Sequence, residues 1–523
     1  MNRGSSSRGS LTRGSLYLLL LMALLLAAFG PPASAPASRP ASAPASMSDG
    51  APRSALQPHA APRTAAARGA GEPIWRAERS TPVGARMGSS FRPESTHGAM
   101  RLRGILGYGV ILLIAWLLST DRKRIRWRTV LWGLGLQAIF ALIVLNPVVG
   151  EFFFRTVDHG VKSLLGFAEA GMDFVFSATV PHQATYINHE GKLTTEIIVG
   201  HISPVLKSFA FWILPTVIFF SSLITLLYHV GIMQWVVRGI ARAMVYMMKT
   251  SGAETLSCTA NIFVGQTEAP LLIKPFVERM TQSELMAVMT GGFATVAGGV
   301  LAIYVMMLQG IPGIAGHLVT ASIMAAPCAL AVAKLMFPET ETPTTAGTLQ
   351  VEVERPDGNV IEAAARGASE GMSLVLNIAA MLVAFVALMA MVNAVLGLFG
   401  TSVEQILGWI LSPLAWTIGV PWDDAPQVGQ LLGEKLVLTE LIAYKHLQLL
   451  LSGTTAVLSE RTAVIASYAL CGFANVASIG IQIGGIGGMA PSRRGDLARL
   501  GLRAMFAGAL VSCLSGTLAG FMV

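Results

Sequence analysis

From residue 104 onward, long apolar runs alternate with short charged loops, a pattern typical of membrane-spanning helices of about 20 residues. Two shorter segments, Leu256–Phe276 and Gln430–Leu451, are interrupted by polar residues, and we expect each to be a re-entrant hairpin. The pattern predicts an all-α polytopic membrane protein with two such hairpins and eight transmembrane helices: Gly104–Ser119, Val130–Gly150, Ser203–Val230, Ser283–Leu308, Ile314–Met336, Met372–Leu398, Val464–Ile483 and Leu502–Val523.

Composition leads to the same class of protein. Of the 523 residues, 53% are hydrophobic and only 13% are charged, against about 25% charged in soluble proteins. The net charge of +8 is concentrated in residues 1–99, so the rest of the chain is nearly neutral and a nucleic-acid partner is not expected. Four widely spaced cysteines provide no disulfide framework and no C-x-x-C metal or redox motif.

Residues 1–99 differ from the membrane body. Three arginines precede the apolar run Leu16–Phe29, which resembles a secretory signal and is short for a spanning helix. Pro31–Gly98 has no hydrophobic period, and we expect it to be disordered. The region is interpreted either as a signal followed by a linker, or as an extension ahead of a protein that starts near Met100.

Basic loops orient the body. The segment Asp121–Arg128 carries five basic residues, so the positive-inside rule predicts that it is cytoplasmic and that both ends of the body lie outside. Met233–Lys249 has the pattern of an amphipathic helix on the inner surface. The mixed polar stretch Glu151–His201 is expected along or above the outer face, and Phe337–Glu370 is expected to be a cytoplasmic loop.

An internal repeat joins two parts of the body. Gly292–Ala297 (GFATVA) and Gly472–Ala477 (GFANVA) share five of six residues, and each follows a hairpin and precedes one more span. The predicted topology inserts the two hairpins from opposite sides, which predicts an inverted repeat with interrupted helices, as in secondary transporters. Local unwinding is expected at Val296–Val300 and Val476–Gly480, although small residues there could instead allow close helix packing.

Each hairpin carries a Thr-Glu pair that ends in Glu268 or Glu440. A carboxylate at membrane depth costs about 2.5–3.5 kcal/mol on insertion scales. A functional role is therefore favoured over a salt bridge to Lys274 or Lys445, or over a hairpin tip that lies in water. With Gln266, Thr267, Asn475 and Ser478, the two glutamates form a polar set suited to a neutral solute with several OH and NH groups. Three isolated histidines are expected to be surface or interfacial residues rather than ligands: His159, His229 and His317.

Long motifs in the body closely resemble the concentrative nucleoside transporters: NIFVGQTEAPLLIKPF, MTGGFATVAGGV, MAAPCALAVAKLMFPETE, GEKLVLTELIAY and CGFANVASIGIQIGG. The resemblance, which covers about residue 104 to the end, implies a homotrimeric secondary active transporter of a bacterial inner membrane. It implies import of nucleosides of the uridine, cytidine and adenosine class by sodium symport with an elevator motion, without a cofactor and without enzyme activity.

The resemblance also assigns site residues. It implies nucleobase binding by Gln266, Thr267, Glu268 and Val300, ribose binding by Glu440, Phe473, Asn475 and Ser478, and sodium binding by Asn261, Val264, Thr295 and Val296. Two positions depart from the family pattern. Thr295 replaces the more usual Ser but keeps the hydroxyl, and Thr439 stands where Asn commonly precedes the glutamate.

These expectations divide the body into a scaffold and two transport repeats. The expected parts are 100–250 (scaffold and interfacial helix), 251–337 (first repeat), 338–370 (loop), 371–402 (long scaffold helix) and 403–523 (second repeat). Proton-coupled symport stays open as an alternative, because burial raises the pKa of a carboxyl group. A passive channel and an intramembrane enzyme are less favoured, the latter because neither H-E-x-x-H nor G-x-S-x-G occurs in the chain.

Overall fold

A computed structural model describes residues 98–176, 182–187, 192–198, 208–347, 357–452 and 458–522. The predictions of a signal-like run and a disordered linker fall on residues outside this set. The described part is mainly helical: α1 (Gly98–Leu117), α2 (Trp127–Val144), α3 (Pro147–Phe176), α4 (Thr216–Val230), α5 (Ile232–Met248), α6 (Gly252–Ala260), α7 (Lys274–Val277), α8 (Gln282–Ala294), α9 (Gly298–Met307), α10 (Ile314–Met336), α11 (Val360–Leu396), α12 (Val403–Thr417), α13 (Ala425–Val437), α14 (Glu440–Ser452), α15 (Glu460–Leu470), α16 (Val476–Met489) and α17 (Arg494–Met522).

Six helical segments within the described ranges are long and apolar enough to cross a membrane: Trp127–Val144, Phe209–Val230, Gln282–Met307, Ile314–Met336, Val360–Phe399 and Pro491–Met522. Two apolar segments, Arg103–Leu117 and Val476–Met489, are shorter. The predicted helical membrane protein is therefore confirmed, while the count of eight full spans stays a prediction.

A small β-hairpin departs from the all-α prediction. The antiparallel strands β1 (His182–Ile187) and β2 (Leu193–Ile198) pair with Thr185 opposite Thr195. β2 contains two Thr and two Ile, and β1 ends in Thr-Tyr-Ile; β-branched and aromatic side chains favour extended backbone. The stretch Glu151–His201, which the sequence analysis describes as mixed and polar, thus contains two paired strands.

The long helix α11 begins earlier than predicted. Asn359 accepts a hydrogen bond from the Glu362 amide at 2.9 Å, which caps the helix, and helical structure runs from Val360. The prediction that the loop continues to Glu370 was therefore wrong, because the charged residues Glu362, Arg366 and Glu370 lie on the helix. A charged turn at a helix end is compatible with helical backbone once its amides are capped.

The predicted amphipathic helix is present as α5. Its apolar residues Val237 and Ala241 are buried, whereas Arg238 and Arg242 are exposed. The helix packs against α2, α4 and α6. The Thr129 hydroxyl donates to the carbonyl of Met248 at 2.9 Å and ties the end of α5 to α2.

A buried charged cluster fixes the base of the first hairpin. Lys334, near the end of α10, lies 2.8 Å from the Glu254 carboxylate on α6 and 3.0 Å from that of Glu339. Ser251, the N-cap of α6, donates to Glu284 on α8 at 2.6 Å. Because removing one partner from a buried pair leaves an uncompensated charge, these contacts hold the hairpin base against α8 and α10.

Two helices are broken at related positions. In each repeat a hairpin (252–277 or 425–452) is followed by a broken helix and then by a long helix. The first break, at residues 295–297, separates α8 from α9. The second, at residues 471–475, separates α15 from α16. Gly472 has φ +118°, and a Cβ there would lie 2.7 Å from the Phe293 carbonyl oxygen, which ties this break to the first repeat.

The breaks lie slightly before the segments predicted to unwind. In the first repeat, helix resumes at Gly298, so only the start of Val296–Val300 is unwound. In the second repeat, Val476–Gly480 is helical, and that prediction was wrong. Asn475 supplies the physical reason, because its side chain accepts from the Ser478 amide at 2.8 Å and starts the new helix there.

Candidate functional site

One cavity of about 1350 Å³ lies among the two hairpins, the half-helices α9 and α16, and α11. Nine of the twelve predicted site residues line it: Val264, Gln266, Thr267, Glu268, Val300, Glu440, Phe473, Asn475 and Ser478. The other three, Asn261, Thr295 and Val296, are buried beside the first break and do not line the cavity. The residues predicted to bind nucleobase and ribose therefore share one space.

Glu440 begins α14 immediately after the tip of the second hairpin, and it is buried. Its Oε1 accepts from the Tyr304 hydroxyl at 2.8 Å, and its Oε2 accepts from the Asn475 amide at 2.9 Å. A carboxylate has about four lone-pair sites, so capacity remains for hydroxyls of a solute. The arrangement can recognise a vicinal pair of hydroxyl groups.

Lys435 lies near the end of α13, in the same hairpin as Glu440. Its buried ammonium group donates to the carbonyl oxygens of Ala469 at 2.9 Å and Cys471 at 3.4 Å. These carbonyls belong to the end of α15, where a helix leaves acceptors unsatisfied and carries partial negative charge. Lys435 thus holds the second hairpin against the second break.

The other side of the cavity is built around Gln266, which is buried. Its Nε2 donates to the Ser478 hydroxyl at 3.2 Å, and its Oε1 accepts from Gln482 Nε2 at 2.9 Å. A carboxamide has two donor hydrogens and two acceptor lone pairs. One of each remains for a solute, which suits the mixed donor and acceptor edge of a nucleobase.

Glu268 differs from Glu440 in its surroundings. It is exposed to the cavity, and the Thr267 hydroxyl donates to its Oε1 at 3.0 Å. Within the described residues neither glutamate forms the salt bridge considered above, and Lys445 instead donates to Gln448 at 2.8 Å. Glu268 is therefore solvated through the cavity, whereas Glu440 is held by neutral donors.

A candidate cation site lies beside the first break. Asn261 is fully buried, and its Nδ2 donates to the Ser257 carbonyl at 3.2 Å while its Oδ1 has no hydrogen-bond partner. The Gly298 amide donates to the Phe263 carbonyl at 3.0 Å, so the turn after Asn261 lies against the break. The Thr295 hydroxyl donates to the Gly291 carbonyl at 2.9 Å and keeps its own lone pairs. These hard oxygen atoms fit a sodium ion.

An ion pair lies at the rim of the cavity, where α11 begins. Arg366 donates to both carboxylate oxygens of Asp357, at 2.7 and 2.8 Å, and to Glu370 at 2.7 Å. These hydrogen bonds hold the pKa of Asp357 below its usual range. The rim therefore carries charged groups, whereas the two donors to Glu440 are uncharged.

The sequence analysis assigned no role to Tyr304, Gln482 or Lys435. Tyr304 lies four residues after Val300, and Gln482 lies four residues after Ser478, so each is one helical turn beyond a predicted site residue. A polar residue one turn along an otherwise apolar half-helix is the signal that could have identified both.

The three histidines lie in different surroundings. His159 is exposed, and His317 is partly buried between helices, 3.2 Å from the Tyr468 hydroxyl. His229 lines the cavity near its rim. In the described residues, no group of three or more His, Cys, Asp or Glu side chains is arranged to hold a metal ion.

Comparison with known families agrees with this architecture. Models of the Na⁺ dependent nucleoside transporter N-terminus and C-terminus match residues 106–179 and 317–520. A nucleoside recognition model, Gate, matches residues 210–310. The chain belongs to the Na⁺-dependent nucleoside transporter family.

Individual relatives extend over most of the chain. The uncharacterized transporter YutK of Bacillus subtilis (strain 168) is 43% identical over 430 residues, which are 81% of this chain and 99% of that protein. Sodium/nucleoside cotransporter 1 of Homo sapiens is 40% identical over 453 residues, 83% of this chain and 65% of that protein. These relatives are transporters and not enzymes.

Solved structures of a related transporter, CNTnw, agree as well. Its inward-facing substrate-bound state is 41% identical, with a TM-score of 0.71 over 81% of this chain and 98% of that chain. An outward-facing double variant is 41% identical, with a TM-score of 0.72 over the same shares. CNTnw thus adopts inward-facing and outward-facing states, as alternating access requires.

Proposed function

We propose that the protein imports nucleosides by sodium symport in a bacterial inner membrane. The observation that carries the proposal is a cavity in which a buried carboxylate and a buried carboxamide face a common space. The family to which the chain belongs indicates that the solute is a nucleoside. The geometry explains why a neutral solute with several hydroxyl groups would bind in this cavity.

Glu440 and Asn475 contact the ribose in this proposal. The carboxylate is already oriented by two donors, so it accepts sugar hydroxyls without reorganising. Ser478 and Phe473 complete the sugar side. On the opposite side, Gln266, Thr267, Glu268 and Val300 contact the base.

Sodium binds beside the first break, held by Asn261 Oδ1, the Thr295 hydroxyl and the backbone carbonyls of Val264 and Val296. The support for this site is the buried, unpartnered Asn261 Oδ1. A buried acceptor without a partner costs about 1–3 kcal/mol, which a bound cation would remove. Because Val264 also lines the cavity, sodium binding would order the wall that contacts the base.

Transport proceeds by an elevator motion of the two repeats against the scaffold, in a homotrimer. Both ends of the membrane body of each subunit lie outside. The exposed apolar side chains of α11, such as Val383 and Met391, offer a surface for lipid or for another subunit. The proposal requires no cofactor other than the coupling ion.

Uptake into proteoliposomes tests the proposal. Labelled uridine and adenosine should accumulate above the external concentration when sodium is higher outside, and should not accumulate without the gradient. The Asn261→Ala variant should need more sodium for half-maximal uptake, while the control Asn359→Ala, at an exposed helix cap, should behave as wild type. Equal uptake driven by a proton gradient in sodium-free buffer would establish proton symport, and uptake that only equilibrates would establish a channel.

A further inference from the structure

A chain of hydrogen bonds runs from a backbone carbonyl to the base side of the cavity. Gln482 Nε2 donates to the Met289 carbonyl oxygen at 3.2 Å and to Gln266 Oε1 at 2.9 Å. Gln266 Nε2 then donates to the Ser478 hydroxyl at 3.2 Å. The chain joins α8, the first hairpin and α16.

The direction of this chain follows from its first member. A backbone carbonyl can only accept, so the NH₂ group of Gln482 must face Met289. Its second hydrogen then faces Gln266, which must present its oxygen there and its NH₂ group towards Ser478. A carboxamide that could otherwise rotate by half a turn is thereby held in one orientation.

The surroundings of Gln482 leave it little freedom. Its side chain is fully buried, and its Oε1 has no hydrogen-bond partner. A Cβ on Gly292 would lie 2.7 Å from Gln482 Nε2 and 2.9 Å from the Cβ of Gln266. The close approach of the two amides thus depends on a glycine at position 292.

We propose that Gln482 is a positioning residue that fixes the orientation of the Gln266 carboxamide and thereby makes the transporter discriminate between uridine and cytidine. Uridine offers a carbonyl acceptor and an N–H donor, whereas cytidine offers an amino donor and a ring-nitrogen acceptor at the corresponding positions. Gln266 has one hydrogen and one lone pair left, and their positions depend on which way the amide faces. The inference rests on the proposed nucleoside function of the same cavity.

The test measures KM and maximal uptake rate for uridine and cytidine separately, in wild type and in Gln482→Met. Methionine keeps the side-chain volume close to that of glutamine but has no donor. The KM of the preferred nucleoside should rise roughly 3- to 10-fold, the net effect of one hydrogen bond, and the ratio of the two KM values should move towards one. Gln448→Met is the matched control, because Gln448 is a half-buried residue of α14 that accepts from Lys445 and does not line the cavity; it should leave both KM values unchanged.

Gly292→Ala provides a second variant that removes no polar group but displaces the Gln482 amide. It should change the KM ratio in the same direction. A purely structural role would instead lower the maximal rate for both nucleosides and leave the ratio unchanged, which would overturn the inference. An unchanged ratio in both variants, or a wild type that does not distinguish the two nucleosides, would also overturn it. Failure of the wild type to take up any nucleoside would instead overturn the proposed function.

Discussion

The Tyr304 hydroxyl donates to Glu440 Oε1 at 2.8 Å, although the two residues lie 136 positions apart on opposite repeats. The ring of Tyr304 packs on that of Tyr444 with centroids 4.4 Å apart. The phenol therefore has a fixed position. Its hydroxyl orients one carboxylate oxygen of Glu440, the residue that we propose to bind the sugar.

Removing that hydroxyl should weaken nucleoside recognition without unfolding the protein. Tyr304→Phe keeps the ring and loses one hydrogen bond to a charged group, worth about 1.5–3 kcal/mol. The KM for uridine should therefore rise roughly 10-fold or more. Uptake kinetics would show this, with the exposed Tyr246→Phe as the control. An unchanged KM would mean that Glu440 does not depend on Tyr304 for its orientation.

Substitutions at the proposed ribose site should have larger effects. Glu440→Gln and Asn475→Ala should abolish nucleoside uptake while leaving expression intact, because each removes a group that exchanges hydrogen bonds with hydroxyls. Free nucleobases lack those hydroxyls and should be poor substrates. Competition between labelled uridine and unlabelled uracil measures this, and strong inhibition by uracil would contradict the sugar assignment.

Lys435 should contribute to stability. Lys435→Met leaves the Ala469 and Cys471 carbonyls without their donor, and an unsatisfied buried acceptor costs about 1–3 kcal/mol. The detergent-purified variant should unfold at a lower temperature than wild type. Lys445→Met, at an exposed position of α14, serves as the control and should not shift the transition. Equal thermal stability of the Lys435 variant would show that the lost hydrogen bonds are offset by no longer burying a charged ammonium group.

Deletion of residues 1–99 should leave uptake unchanged. Pro31–Gly98 has no hydrophobic period with which to pack against the membrane body, and the apolar run Leu16–Phe29 resembles a signal. The truncated protein, starting at Met100, would be quantified in the membrane before uridine uptake is measured. Loss of transport at normal abundance would show that this region has a role in the working protein.

Much of the membrane body could be predicted from local pattern. Hydropathy located α10 at its observed bounds, and the charge periodicity identified α5 as amphipathic. The repeated GFATVA and GFANVA segments indicated which two helices are broken, but not the residues at which the second break lies. The resemblance to a family then supplied the candidate residues, nine of which line one cavity.

Other features depend on contacts that no local pattern contains. The second break lies before Val476 because Asn475 caps the new helix and Gly472 approaches the other repeat. The roles of Gln482 and Lys435 depend on carbonyls far away in sequence, at Met289 and Ala469. Hydropathy cannot distinguish such a buried polar residue from one that faces water.

The hydrogen bonds at the cavity cross between the two repeats. The half-helix of the first repeat supports the hairpin of the second through Tyr304 and Glu440, and the half-helix of the second supports the hairpin of the first through Gln482 and Gln266. In each repeat, the hairpin residue that faces the cavity is therefore oriented by a hydrogen bond from a residue of the other repeat. A polypeptide containing only one repeat would have one hairpin and one half-helix, but neither of these hydrogen bonds between repeats. A polypeptide of the first repeat would have to associate with one of the second before the cavity could hold a solute.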